Sequence, residues 1–149
     1  MMRDIHNNIN IAKSLTPIVV NNDTEGTGLA VDGQGYDSVE HVVYVGISGD
    51  TLSGSVLINL RIQAGTLADS SDMADVNSAT DLIGVSADLT TGIFATVDDP
   101  AEDDAVFKIG YRGVKRYTRV LLDVTGTHTN GTPCAAIAMR GHAHITPVA

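Results

Sequence analysis

Along most of this chain apolar residues fall at every second position, the period of a half-buried β-strand. The longest such run is SVEHVVYVGI, residues 38–47. Val39, His41, Val43, Val45 and Ile47 share one face of it, and Glu40, Val42, Tyr44 and Gly46 the other. Both faces are rather apolar, so the pattern predicts a central strand. SVLINLRIQ, residues 55–63, alternates as clearly. Val56, Ile58, Leu60 and Ile62 point in, Asn59, Arg61 and Gln63 point out, and Leu57 is the exception. The two runs are expected to form a hairpin or Greek-key pair.

The stretch from Phe107 to Val124, FKIGYRGVKRYTRVLLDV, reads as two more strands with a tight turn at Arg112–Lys115. Phe107, Ile109 and Tyr111 share one side of the first. In the second, Thr118, Val120, Leu122 and Val124 form an apolar face, and Tyr117, Arg119, Leu121 and Asp123 form the other. The expectation is a hairpin, greasy on one side and basic on the other. Charge on one face is ordinary for a solvated antiparallel sheet. The sharper reading is a subunit contact at Lys115, Arg116, Tyr117 and Arg119, docking onto an acidic partner such as another copy of the chain.

Shorter strands are predicted at residues 17–20, 27–31, 92–97 and 134–140. Gly, Asn and Asp punctuate them, and Asn130-Gly131 signals a type I′ turn. One helical turn is expected within residues 70–76, capped by Ser70 or Ser71. Residues 1–16 show no clean period. They read as an N-terminal arm, with Ile5, Ile9 and Ile11 available to a neighbouring subunit or a shell. The fold class is therefore all-β: an antiparallel β-sandwich of jelly-roll or Greek-key type, with about eight strands. Residues 17–149 form its single domain.

Composition narrows the function. Aromatic residues make up only 4% of the chain and Trp is absent, so the core must be aliphatic. The net charge of −9 argues against nucleic acid and anionic membrane surfaces as partners. No secretion signal and no apolar run of about 18 residues is seen, which predicts no membrane span and synthesis in the cytoplasm. Cys134 is the only cysteine and sits among small apolar residues. It reads as buried rather than nucleophilic, and neither a disulfide nor a Cys-based zinc site is expected.

Charge is also segregated. Residues 65–104 hold ten acids and no Lys or Arg: Asp69, Asp72, Asp75, Asp81, Asp88, Asp98, Asp99, Glu102, Asp103 and Asp104. DDPAEDD, residues 98–104, must be a loop, because Pro100 and packed like charge oppose strand pairing. It is a candidate for Ca²⁺, for a neighbour's basic surface, or for plain solvation. His142 and His144 have the spacing of a metal pair but lack a third ligand. His41 lies among valines and reads as a satisfied core or interface histidine. No catalytic triad order, nucleophile elbow, phosphate loop or zinc-protease motif occurs. The expectation is a non-enzymatic protein without catalytic, cofactor or metal residues.

Four segments carry a family resemblance: MRDIHNNINIAKSLTP (residues 2–17), QGYDSVE (34–40), KIGYRGVKRYTRV (108–120) and AMRGHAHITP (138–147). Together they resemble small virion proteins of tailed bacteriophages and prophages. The resemblance implies a head-decoration, or cement, protein on the capsid exterior. It would be commonly trimeric, bound to the major capsid protein, and without catalytic residues. A tail, fibre or head-spike component is the alternative. A small hydrolase or carbohydrate-binding jelly-roll module is a third reading, weakened by the lack of aromatic platforms.

Overall fold

The protein is described from a computed structural model, over residues 4–85 and 91–148. Residues 1–3 of the expected arm and Asp88 of the acidic segment lie outside the described residues. The elements in order are β1 (Ile9–Val20), β2 (Val31–Asp32), β3 (Tyr36–Val45), β4 (Leu57–Gly65), β5 (Ala74–Asp75), α1 (Ser78–Asp81), β6 (Leu82–Ile83), β7 (Ile93–Val97), β8 (Ala105–Tyr111), β9 (Tyr117–Thr125) and β10 (Thr132–Ala143). They form a sandwich of two antiparallel sheets. The first has the order β1-β10-β3-β8-β6; the second has β2-β9-β4-β5, with β7 also on β4.

Alternation along the strands explains the core. Val43, Val45, Ile109, Leu15 and Ala136 line the inner side of the first sheet, and Ile58, Leu60, Ile62, Val120 and Leu122 that of the second. All ten side chains are buried. Strand β3 is central, as its apolar run predicts, and β4 is central in the other sheet; Ile47 lies beyond β3 and is exposed. Small side chains on β10 complete the inner face: Ala136, Ala138 and Cys134 are buried. Burial pushes the Cys134 thiol up to about 12, so it is an inert apolar residue.

Four sequence expectations change. First, β8 and β9 are not a hairpin. β8 pairs with β3 in one sheet and β9 with β4 in the other. The predicted facing is correct; the link over residues 112–116 crosses between layers instead of turning within one. The same holds for β3 and β4, which lie in different sheets. Second, residues 9–16 are not a free arm. They are the first part of β1, hydrogen-bonded to β10 from Ile9↔Gly141 onward. The domain therefore starts at Ile9, and a backbone partner more than a hundred residues away supplies the order that local periodicity hides. Third, the helical turn falls at residues 78–81, with Asn77 as N-cap accepting from Ala79 N and Thr80 N. In addition, Gly131 takes φ 73° but Asn130 stays out of the left-handed region, so no type I′ turn forms. The β9–β10 connection also crosses sheets.

The flank between β1 and β9 is sealed by the segment before β2. Gly28 N donates to Val120 O at 2.9 Å and Leu29 N to Ser14 O at 2.7 Å. A Cβ at residue 28 would meet Val120 O at 2.7 Å and Ser14 O at 2.8 Å. Only glycine lets the backbone approach both strands this closely.

His41 bridges the layers next to this seal. Its Nδ1 lies 2.9 Å from Ser14 Oγ on β1, and its Nε2 lies 2.8 Å from Thr118 Oγ1 on β9. All three side chains are buried. Hydroxyls donate or accept, so either neutral tautomer is satisfied. Burial lowers the His41 pKa to about 4. Below the usual histidine value of about 6.5 the unfolded chain binds a proton that the folded chain refuses. Stability from this site is therefore whole above pH ~6.5 and declines as pH falls toward 4, by on the order of 3 kcal/mol in all. Urea unfolding across this window should show that loss in the wild type, and His41→Gln should flatten it. An equal slope in the variant would assign the loss to carboxylates instead.

Candidate interaction surfaces

The outer sides of the two sheets differ in kind. On the second sheet, polar side chains engage one another in a row. Arg119 Nε donates to Gln63 Oε1 at 2.9 Å, and Gln63 Nε2 donates to Asp75 Oδ1 at 3.0 Å. Arg61 then joins Asp75 to Asp123, at 2.9 Å to the latter, and also reaches Thr91 O. Thr96 Oγ1 donates to Asn59 Oδ1 at 2.7 Å. Arg119 is thus half-buried in an intramolecular network and is not a free docking residue.

On the first sheet the outward rows are mostly apolar. Register places Ile11, Met139, Glu40 and Gly110 side by side, then Lys13, Ile137, Val42 and Lys108, then Ala135, Tyr44 and Val106. Ile11 is 62% exposed and Val106 65%, with Tyr44 and Ile137 also exposed. Ile83 on β6 extends the surface at Gly110. The charges on it are Lys13 and a loose Lys108–Glu40 pair at 3.9 Å. Isolated exposed apolar residues are commonplace, but a contiguous open sheet face of this composition marks an interaction surface.

The ends of the sandwich also differ. Loops leaving the end near Val20, Val45 and Thr125 carry Asp23, Glu25, Asp50, Asp98, Asp99, Glu102, Asp103 and Asp104, with no Lys or Arg. Many of these carboxylates tie their loops to neighbouring loops and strands. Asp50 accepts from the backbone of Thr129, Asn130 and Gly131. Asp103 accepts from Ser48 N and Asp104 from Tyr44 Oη. Asp23 accepts from Val124 N at 2.6 Å. Among the described residues, no three His, Cys, Asp or Glu side chains are placed to hold a metal ion. The Ca²⁺ candidate at residues 98–104 gains no geometric support.

The opposite end gathers Arg112, Lys115, Arg116 and Arg140. Arg116 grips Asp32 through Nε at 2.8 Å and Nη2 at 2.6 Å, which holds the Asp32 carboxyl below its usual range. Its guanidinium also lies over the Tyr117 ring, 4.9 Å from the centroid. Arg112 donates to Thr80 O and Ala79 O, satisfying the last carbonyls of α1. Arg140 stacks over Tyr36, at 4.7 Å, and bonds Asp32 O and Asn10. Lys115 is exposed at the rim of a groove of about 420 Å³ between Gln34–Val39 and Tyr111–Arg116. Ile5 and Ile9 lie at this same end, Ile9 half-buried; Ile11 faces outward on the first sheet. His144 pairs with Asp37 at 2.7 Å, and His142 bonds Ser38 at 2.9 Å, so the two imidazoles have separate partners.

Sequence reasoning missed the apolar outer face. Val42, Tyr44 and Val106 were visible as apolar residues, but nothing local says that their strands adjoin.

No protein-family model matches the sequence, and no significant match is found among curated proteins or solved structures. Among the described residues, no helix is long and apolar enough to cross a membrane.

The network on the second sheet is expected to be structural. Arg61→Ala should leave Asp75 and Asp123 facing each other without a cation and cost about 1–3 kcal/mol in chemical unfolding. Oligomeric mass should not change. A change in mass without loss of stability would make this face an interface.

Proposed function

We propose that the protein is a non-enzymatic virion component of a tailed phage, a capsid decoration (cement) protein that oligomerises on the outside of the head shell and contacts the major capsid protein. One observation carries this reading beyond the resemblance itself. The four segments that resemble phage virion proteins are dispersed in sequence, yet they assemble into one patch. Ile9–Ala12 pairs with Ala138–Gly141, which pairs with Ser38–His41, which pairs with Ile109–Tyr111. Cross-links reinforce it: Arg140 to Asn10 and His144 to Asp37. The resemblance therefore describes a continuous surface, built of the arginine-bearing end and the adjoining half of the first sheet. A surface of this kind suits assembly.

The strand order supports a jelly-roll form of the sandwich. With the short strands β5 and β6 set aside and the equally short β2 kept, the sheets read β1-β10-β3-β8 and β2-β9-β4-β7, four strands each. A head-spike or fibre role rests on the same fold, but no separate feature favours it.

The groove rimmed by Lys115 is the proposed shell contact. Purified protein should co-sediment with capsid shells lacking it. Lys115→Glu should weaken that binding about tenfold while unfolding at the same denaturant concentration. Absence of wild-type binding to such shells would reject the decoration reading.

A further inference from the structure

We infer that the apolar outer face of the first sheet is covered by the same face of a second copy, in a two-fold pair whose strands run antiparallel. The inference rests on reading the chain as an assembly protein and names the surface that joins its copies.

Area comes first. Four strands at about 4.8 Å spacing span about 19 Å, and about nine residues at 3.3 Å each span about 30 Å. The flat area is about 600 Å² per copy, or roughly 1,200 Å² for a pair, the lower bound of a stable interface. Composition agrees. Ile11, Ile137, Val42, Tyr44 and Val106 lie on adjoining strands of one side, where sheets can stack at about 10 Å. The second sheet has no comparable surface, because its outward side chains are engaged in the Arg119–Gln63–Asp75–Arg61–Asp123 row.

Charge then permits a second copy and selects the direction. The face itself carries two lysines and one glutamate, Lys13, Lys108 and Glu40, within a chain of net charge −9. Two such chains can meet across it without strong repulsion. Parallel stacking would place two eight-carboxylate ends together. Antiparallel stacking places each beside the partner's opposite end, where Arg112, Lys115, Arg116 and Arg140 offset Asp4, Asp32, Asp37 and Asp81. A two-fold axis between the Ile137–Val42 row and the Ala135–Tyr44 row achieves this and brings these apolar rows into contact. The symmetry is then two-fold, in place of the trimer that the resemblance implies.

Sedimentation equilibrium of the wild type should give twice the 15.6 kDa chain mass at micromolar concentration. Ile137→Asp and Val106→Asp, both at exposed outward positions, should each weaken pairing at least a hundredfold and retain the wild-type circular dichroism spectrum. Raising salt should weaken the wild-type pair several-fold without abolishing it. A wild-type monomer, a trimer, or variants that pair normally would overturn the inference. So would a monomer whose shell binding is lost in Ile137→Asp, since the shell would then be the occupant. A pair that forms in solution but never binds shells leaves the inference standing and rejects the decoration reading. Monomeric Ile137→Asp that still co-sediments with shells supports both.

Discussion

The inner faces of the two sheets can be buried only against each other, because the links between the long strands carry the chain from one layer to the other at nearly every step. β1 leads to β2 across the gap, β2 to β3, β3 to β4, and β7 through β10 alternate likewise. No sheet can form alone from a continuous piece of sequence. Strand pairing and core burial therefore depend on the same set of distant contacts. The aliphatic composition follows from this, since Val, Ile and Leu on facing strands fill the interlayer space without bulky rings.

Polar groups inside such a sandwich need partners from both layers. His41 meets this condition by reaching Ser14 in its own sheet and Thr118 in the other. It joins β1, β3 and β9 where the core narrows toward a smaller cluster of Val31, Val39 and Ala138. A buried imidazole held neutral by desolvation makes this bridge sensitive to acid, while the hydrocarbon around it is indifferent to pH.

The outside is arranged with equal economy of contact. Carboxylates at one end clamp loops by accepting backbone N–H groups, so the acidic residues order turns as well as carry charge. At the other end, arginines tie the N-terminal strand, the β2–β3 turn and the β8–β9 link into one unit. The second sheet presents a satisfied polar network, and the first an open apolar one. A body closed on one face and open on the other is what the proposed decoration role would use, with the open face and the arginine-bearing end as its proposed contacts.

Alternation in SVEHVVYV and VLINLRI was enough to assign the fold class, the central place of β3 and most of the buried side chains, because facing is a local, period-two property. The loop position at residues 98–104 was legible for the same reason: proline and clustered charge act on their own backbone. Pairing was not legible. Phe107–Val124 has the local pattern of a hairpin whether its halves join one sheet or two, and the choice is made by β3 and β4, which lie far off in the chain. Residues 9–16 gained order only from β10. Arg116 and Arg119 looked like a free basic surface until Asp32 and Gln63 were brought to them. The apolar outer face has the same origin. Each strand shows a few outward apolar residues of no note, and the topology alone sets Ile11, Ile137, Val42 and the Tyr44–Val106 pair on one continuous surface. Sequence by itself determined which residues face in and which segments turn; tertiary structure decided which strands adjoin, because that depends on contacts between residues that no local rule connects.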